Sequence, residues 1–504
     1  MVGAGFAGIA MSKALGEIGV EHVLLEKAPQ VGGTWWANSY PGARCDVPSH
    51  LYSYSFAPNP DWTHTYSAQP EILEYLVRCA DRFGVRERIR FSTEVLSAAW
   101  DEAEAVWSLD TSAGPVTADF VVGASGPLSQ PSLPDIRGLG DFEGAVFHSG
   151  AWNHDHDLAG KRVAVIGTGA SAVQIIPSIQ LLVDKMYVFQ RTPAWVFPHT
   201  GRRIGANERR LHHGFPLLQL AKRALVYAMH ELLILGLAKR PTLMRRLAKL
   251  GLAHLERQVP DPELRRRLTP DFTPGCKRLL ISNTYYPAMS AENVELVTDR
   301  VSEIGPSWVE TATGKRHEVD TIVLATGFSV TDPPIAHRLR GASGRTLAEN
   351  WSSSGMGAYR GTTMPDFPNL FFLAGPNTGI GHTSLVVMIE AQVRYVADCL
   401  RYARRHGIGR IEVRRDPCDR WNAAVQKKAR KSVWNTGGCA SWYLDKHGRN
   451  TTIWPDFSFL FTRAVRRFDP AAYELRPVRR PQTPQPTGPQ REPVPAEPVV
   501  AASL

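Results

Sequence analysis

Cysteine is scarce. The six residues present (Cys45, Cys79, Cys276, Cys399, Cys418, Cys439) include no CxxC pair and no histidines at zinc-ligand spacing. No metal site is read from them, and reduced thiols in a cytosolic protein are the simpler reading. Nucleic-acid signatures are missing too: no zinc finger, helix-turn-helix or RNA-binding motif accompanies the net charge of +10 and the pI near 9.3. Nucleic acid is therefore not read as a partner, and the charge suits phosphate-bearing small molecules or an anionic membrane surface. No charged-then-apolar leader opens the chain. Uninterrupted apolar runs of membrane-spanning length are absent as well. Phe215 to Ala238 is long enough, but Lys222, Arg223, His230 and Glu231 interrupt it, and charges at that depth are costly.

What is present starts at the first residue. At 504 residues the chain suits two or three domains. Met1-Val2-Gly3-Ala4-Gly5-Phe6-Ala7-Gly8 is a GxGxxG loop, followed by an apolar-periodic helix to about Gly16 and a strand from Val20 to Leu25 ending on Glu26-Lys27. The glycines let the backbone approach a pyrophosphate, the helix N-terminus adds favourable partial charge, and Glu26 stands where an acid meets a ribose hydroxyl. The strand expected before Gly3 is reduced to Met1 and Val2, so the natural start is expected upstream, or the chain is truncated.

A second copy follows. The strand Lys161 to Ile166 leads into Gly167-Thr168-Gly169-Ala170-Ser171-Ala172, with Gln174 on its helix, and the returning strand Met186 to Phe189 ends at Gln190-Arg191-Thr192. NAD sites place an acid after that second strand; Arg191 and Thr192 suit the extra 2′-phosphate of NADP. An acid-ended first site and an arginine-ended second site together imply FAD first and NADPH second. Two further strands, 120–126 and 321–328, resemble those that bring a chain back beside a dinucleotide. The fold class is α/β, with two Rossmann-like dinucleotide-binding domains and a helical insertion in the second.

The boundaries predicted are 1–144 for the first part of the FAD domain and 145–330 for the NADP domain, with a basic helical insertion at about 205–275. Residues 331–475 complete the FAD domain and supply active-site loops, and 476–504 form a Pro-rich disordered tail. The insertion reads as core or lid helices, or as an element in peripheral membrane contact. Phe371 to His382 runs from a strand into a glycine-rich turn, and its following helix, through Met388 and Glu390, is expected to face the isoalloxazine. The aromatic segment Trp434 to Trp454 is expected to form a loop over nicotinamide or substrate.

Two longer stretches carry a family resemblance. Gly32-Gly33-Thr34-Trp35-Trp36-Ala37-Asn38-Ser39-Tyr40-Pro41-Gly42-Ala43-Arg44-Cys45-Asp46 resembles the signature after the FAD loop of type I Baeyer–Villiger monooxygenases, class B flavoprotein monooxygenases. Phe142-Glu143-Gly144-Ala145-Val146-Phe147-His148-Ser149-Gly150-Ala151-Trp152 matches their FxGxxxHxxxW fingerprint, departing only at the next position, where Asn153 replaces the usual Pro or Asp. The resemblance runs from the first residue to about Arg476.

It implies a reaction in which NADPH reduces the flavin, O₂ adds at flavin C4a, and the resulting anionic peroxide attacks a ketone to yield an ester or lactone. It also implies that Arg278, from Cys276-Lys277-Arg278 before Ser282-Asn283-Thr284-Tyr285-Tyr286, is the fixed cation of the site, because arginine stays protonated and gives planar donors. Asp46 would orient Arg278, and Lys277 would join Arg191 on the 2′-phosphate. His148 and Trp152 would couple domain movement to catalysis. Gly33, Thr34, Trp35, Arg44 and Tyr52 are expected flavin neighbours, while core packing explains Trp36 and Tyr54 equally well. Partners are then a small ketone and O₂; nothing in the residues specifies an oligomeric state. Two other readings use the same loops: a flavin monooxygenase oxidising nitrogen or sulfur, and a flavoprotein NADPH oxidase or membrane-associated binding protein.

Overall fold

The computed structural model describes residues 1–128 and 130–478. Two Rossmann-like parallel sheets organise it. In the first, Val2 bridges Leu25 on one side and Gly123 on the other, so it fills the central position of the sheet. Outward from it, Leu24–Leu25 pairs with Ile89–Arg90, and Val121–Gly123 pairs with Leu370–Phe372, all in parallel. The helix Phe6–Glu17 leaves the loop and packs on Leu385–His406, with Ile9, Ala10 and Met11 sharing one core with Met388, Ile389 and Val396. That long helix buries residues at helical spacing, and Ser384 caps its start by accepting the Val386 N–H at 3.2 Å.

The second sheet has five parallel strands in the order Val294–Val297, Lys185–Phe189, Arg162–Ile166, Thr321–Leu324, Ala145–His148. Val163 and Val165 are fully buried, as expected of strands covered on both faces. The fingerprint segment supplies an edge strand of this sheet, with His148 opposite Leu324. Helices Ala206–Gly214, Pro216–Glu231, Met244–Gln258 and Pro262–Leu268 follow between Val196–Phe197 and Leu280–Ile281. Among the described residues no helix is long and apolar enough to cross a membrane.

Several expectations need correction. The strand predicted over Val20–Leu25 is only Leu24–Leu25; residues 20–23 are irregular, and there the His22 ring bonds the Val20 carbonyl at 2.8 Å. Arg476 and Pro477 are not tail. The strand Tyr473–Pro477 pairs antiparallel with Ile408–Val413, a backbone ladder that needs no apolar side chains. The rest of the predicted tail, from 479, lies outside the described residues. Cys276 and Cys439 are not reduced thiols: they form a disulfide across 163 residues, while the other four cysteines are free and buried. Spacing rules read neighbours in the chain, and this pair meets only through the fold. The long basic helix is no core helix either, since its leucines face solvent.

Candidate active site

Arg278 lies between the two Rossmann units. Its Nε and one terminal nitrogen donate to the two Asp46 oxygens at 2.8 and 2.7 Å, and its other terminal nitrogen donates to the Ile380 carbonyl at 3.1 Å. A guanidinium has five N–H groups. Three are committed here, and both side chains stay open on one side, at 30% and 27% exposure. Burial pushes the Asp46 carboxyl up, but the Arg278 charge and its hydrogen bonds outweigh this and hold it below the usual carboxylate value. The Asp46 charge in turn raises Arg278 further above its ordinary value, against the opposing pull of burial. The pair is therefore ionised at any physiological pH.

The first glycine loop reaches this pair through aromatics. Phe6 packs edge-on against Tyr52 at 5.1 Å, and the Trp35 indole donates to the Tyr52 hydroxyl at 3.0 Å. Burial raises that hydroxyl far above its ordinary value, so it stays protonated. The loops Gly3–Gly8 and Gly32–Gly33 lie side by side: Gly33 has a φ of +54°, and a Cβ on it would stand 3.0 Å from the Gly5 Cα. No side chain caps the helix that begins at Phe6. Its first N–H groups are left for an anion, which fits a pyrophosphate of FAD. Glu26 is buried, and its oxygens accept from the Ala4 and Ala28 N–H groups at 2.6 and 2.9 Å, so the acid also fixes the loop. Ala7 is buried and Lys27 is exposed.

At the second loop, Gly169 caps the helix Ala170–Ile179 without a side-chain bond, and Thr168 donates to the Thr192 carbonyl at 2.9 Å. Burial and then the charge of nearby Arg191 lower the Lys277 ammonium below its ordinary value. The Asp271 charge partly offsets both, and two cations brought this close fit the 2′-phosphate of NADP.

Gln174 joins the two loops. Its carbonyl oxygen accepts from the Arg44 N–H at 3.2 Å and the Tyr40 hydroxyl at 3.1 Å, and its amide donates to the Arg44 carbonyl at 3.1 Å. Gly42 makes this approach possible: a Cβ there would stand 2.2 Å from the Ser178 hydroxyl and 2.6 Å from the Gln174 carbonyl. The Arg44 side chain itself is exposed, and Ala172 is fully buried behind the loop. Ser171 faces the Tyr40 hydroxyl.

His148 is buried, its Nδ1 accepting from the Gly150 N–H at 2.9 Å and its ring edge-on to Phe328; burial holds it below its ordinary value, partly offset by the Gly327 carbonyl. Trp152 packs on Phe147 at 4.8 Å. Asn153 accepts the Asp155 N–H at 3.1 Å, closing the turn after the fingerprint. Tyr54 is fully buried and donates to the Phe6 carbonyl, whereas Trp36 is 39% exposed and is not a core residue.

Motif reading missed three contributors. The Ile380 carbonyl shapes the guanidinium, Tyr443 lies close enough for its buried hydroxyl, pushed up to about 12, to feel the Arg278 charge, and the Cys276–Cys439 disulfide ties the arginine segment to the 434–454 segment. Trp434, Tyr443 and Ile453 form one apolar cluster with Cys276, Trp195 and Phe197. Away from the site, His50, Glu208 and His212 bring ligand atoms within 4.8 Å, but Glu208 is already paired with Arg202 and Lys222, cations that oppose a metal ion.

The chain is similar to several known proteins. A family model described as flavin-binding monooxygenase-like matches residues 1–247. A Baeyer–Villiger monooxygenase of Streptomyces coelicolor is 50% identical over 482 residues, covering 95% of this chain and 92% of the relative. Another, of Pseudomonas aeruginosa, is 45% identical over 478 residues, covering 94% and 90%. The solved complex of OTEMO with FAD and NADP superposes with a TM-score of 0.84 at 28% identity, covering 94% of this chain and 98% of that one.

Proposed function

This chain belongs to the Baeyer–Villiger monooxygenase family, and from that premise we propose that it converts a ketone to an ester or lactone with NADPH and O₂. One oxygen atom enters the product and the other leaves as water, with NADPH and a proton supplying the two electrons and two hydrogens. FAD, reduced by NADPH when both are bound, supplies the activation of O₂. The observation that carries this reading is the Arg278–Asp46 pair, held at 2.7 and 2.8 Å beside the aromatics of the first glycine loop.

Each residue has a task that its surroundings support. Asp46 and the Ile380 carbonyl fix the guanidinium plane, and the two N–H groups left over face the open side. There they meet negative charge as it builds on the oxygens of the reacting ketone, and being held in advance they need no reorganisation. Asp46 stays ionised and moves no proton. Tyr52, kept neutral, supplies a wall and a donor. The cluster around Trp434 and Tyr443 excludes water, which strengthens every charge interaction inside. Arg191 and Lys277 select the phosphorylated nicotinamide cofactor.

We also assign the domains on this basis: 1–144 and 331–475 to FAD, 145–330 to NADP. Spectra recorded during anaerobic NADPH addition, then oxygen with a ketone panel read by mass spectrometry, test the proposal. Bleaching of the flavin followed by a product sixteen mass units heavier than the ketone supports it. Reoxidation without any oxygenated ketone counts against it.

A further inference from the structure

The helix Pro216–Glu231 is inside out. Its polar side chains face the protein: Gln219 and Glu231 are buried, and Arg223 donates to the carbonyls of His50, Leu51 and Ser53 at 2.7, 3.2 and 2.9 Å. Gln219 donates to the Asn59 carbonyl at 2.6 Å, and Glu231 accepts the Ser458 N–H at 3.0 Å. The opposite face is apolar and bare. Leu217, Leu225, Met229 and Leu232 are 80%, 62%, 59% and 61% exposed, at the spacing of one helical stripe. A surface helix of a water-facing protein has the reverse arrangement. The feature is local: of 23 exposed large apolar residues among those described, 13 fall between Leu211 and Leu252. Scattered exposed leucines need no explanation, but a contiguous stripe marks a contact surface.

Charge decides what the surface fits. From residue 209 to 249 the chain carries nine lysines and arginines and one acid, Glu231, and that acid is turned inward. Arg210, Arg240, Arg245, Arg246 and Lys249 of this same segment are exposed. In a two-fold contact with a second copy the same cations would oppose each other, because both copies present the same patch. Against anionic lipid headgroups they are all attracted, while the leucines enter the acyl boundary. No described helix is long and apolar enough to cross a bilayer. We propose that this helical segment docks the enzyme on the surface of an anionic bilayer, lying in the interface with Leu217, Leu225 and Met229 inserted.

The helix's protein-facing bonds anchor it to the body of the enzyme, so the docked face can be altered without touching the Arg278 pair. The test uses the full, FAD-loaded chain with vesicles of mixed phosphatidylcholine and phosphatidylglycerol, and with phosphatidylcholine alone. The wild type should float with the mixed vesicles, be released by added salt, and bind the neutral ones far less. Replacing Leu217→Ser, Leu225→Ser and Met229→Ser together should weaken binding about tenfold or more, with flavin content and turnover of a water-soluble ketone unchanged. If that variant loses flavin, Arg245→Glu with Arg246→Glu decides instead, and should abolish the preference for anionic vesicles. Failure of the wild type to float overturns the proposal, as does flotation that both variants retain. A sedimentation dimer that the serine variant dissociates, with no vesicle binding, would assign the face to a second copy and overturn it equally.

Discussion

Asp46 grips the Arg278 guanidinium with both carboxylate oxygens, at 2.7 and 2.8 Å, across 232 residues of chain. The Ile380 carbonyl completes the hold from a third segment. Asp46→Asn keeps the shape but loses the charge and one acceptor. Ketone conversion should fall about 10²-fold as the guanidinium loosens by an ångström or less, while flavin reduction by NADPH stays near the wild-type rate. Stopped-flow spectra and product assays on the same preparation check both halves. Equal loss in both steps would make Asp46 a general structural residue.

Arg191 and Lys277 share one neighbourhood, and the Lys277 ammonium is lowered by the Arg191 charge after burial. Arg191→Ala or Lys277→Ala should raise KM for NADPH about 10- to 100-fold, the worth of a charge-assisted hydrogen bond, and leave KM for NADH almost unchanged. Steady-state kinetics with the two nucleotides distinguishes this from a general weakening of the site.

Gly33, at a φ of +54°, closes against Gly5 with room for no side chain. Gly33→Ala is strained and fills the gap between the two loops, so the purified variant should retain little or no FAD. The ratio of visible to ultraviolet absorbance measures it. Wild-type occupancy would show that these loops do not form the flavin cradle.

The disulfide predicts a thiol count. Denatured without reductant, the chain should titrate four thiols, and six after reduction. Cys276→Ser with Cys439→Ser should lower the melting temperature, because the bridge closes a loop of 163 residues.

Acid should destabilise the fold through a buried histidine. Burial, and then the charges of Lys222 and His212, hold His50 down at about 4 from an ordinary 6.5. A depressed histidine is one the unfolded chain protonates first. The stability that its neutral form contributes is therefore complete above 6.5 and is lost as pH falls toward about 4. Melting temperature should drop across that window, and His50→Asn should flatten the drop.

Much of this was legible in the residues. Both glycine loops and the arginine after the second one follow from short-range patterns whose chemistry is local, whereas the Lys277-Arg278 pair stands out only through the family resemblance; the fold brings Arg278 onto Asp46. What escaped depends on distance in the chain. Nothing near Cys276 announces Cys439, and the Ile380 carbonyl is main chain, invisible to any motif. The apolar periodicity of 216–231 predicts a helix correctly but not which face turns inward. Gln219, Arg223 and Glu231 decide that, through carbonyls and an N–H supplied by remote segments. Trp36 misled for the same reason: an aromatic beside a buried Trp35 reads as core, yet the short helix Thr34–Ala37 turns it outward.

The role proposed for Arg278 is that of a fixed cation serving the oxygen-transfer step and no other. Arg278→Ala measures that most directly, with anaerobic flavin reduction and ketone conversion followed in one preparation. Reduction by NADPH should survive within a small factor while conversion falls at least about 10²-fold, and Arg278→Lys should recover little because it cannot form the two-point bond to Asp46. Ketone conversion at the wild-type rate in Arg278→Ala would contradict it.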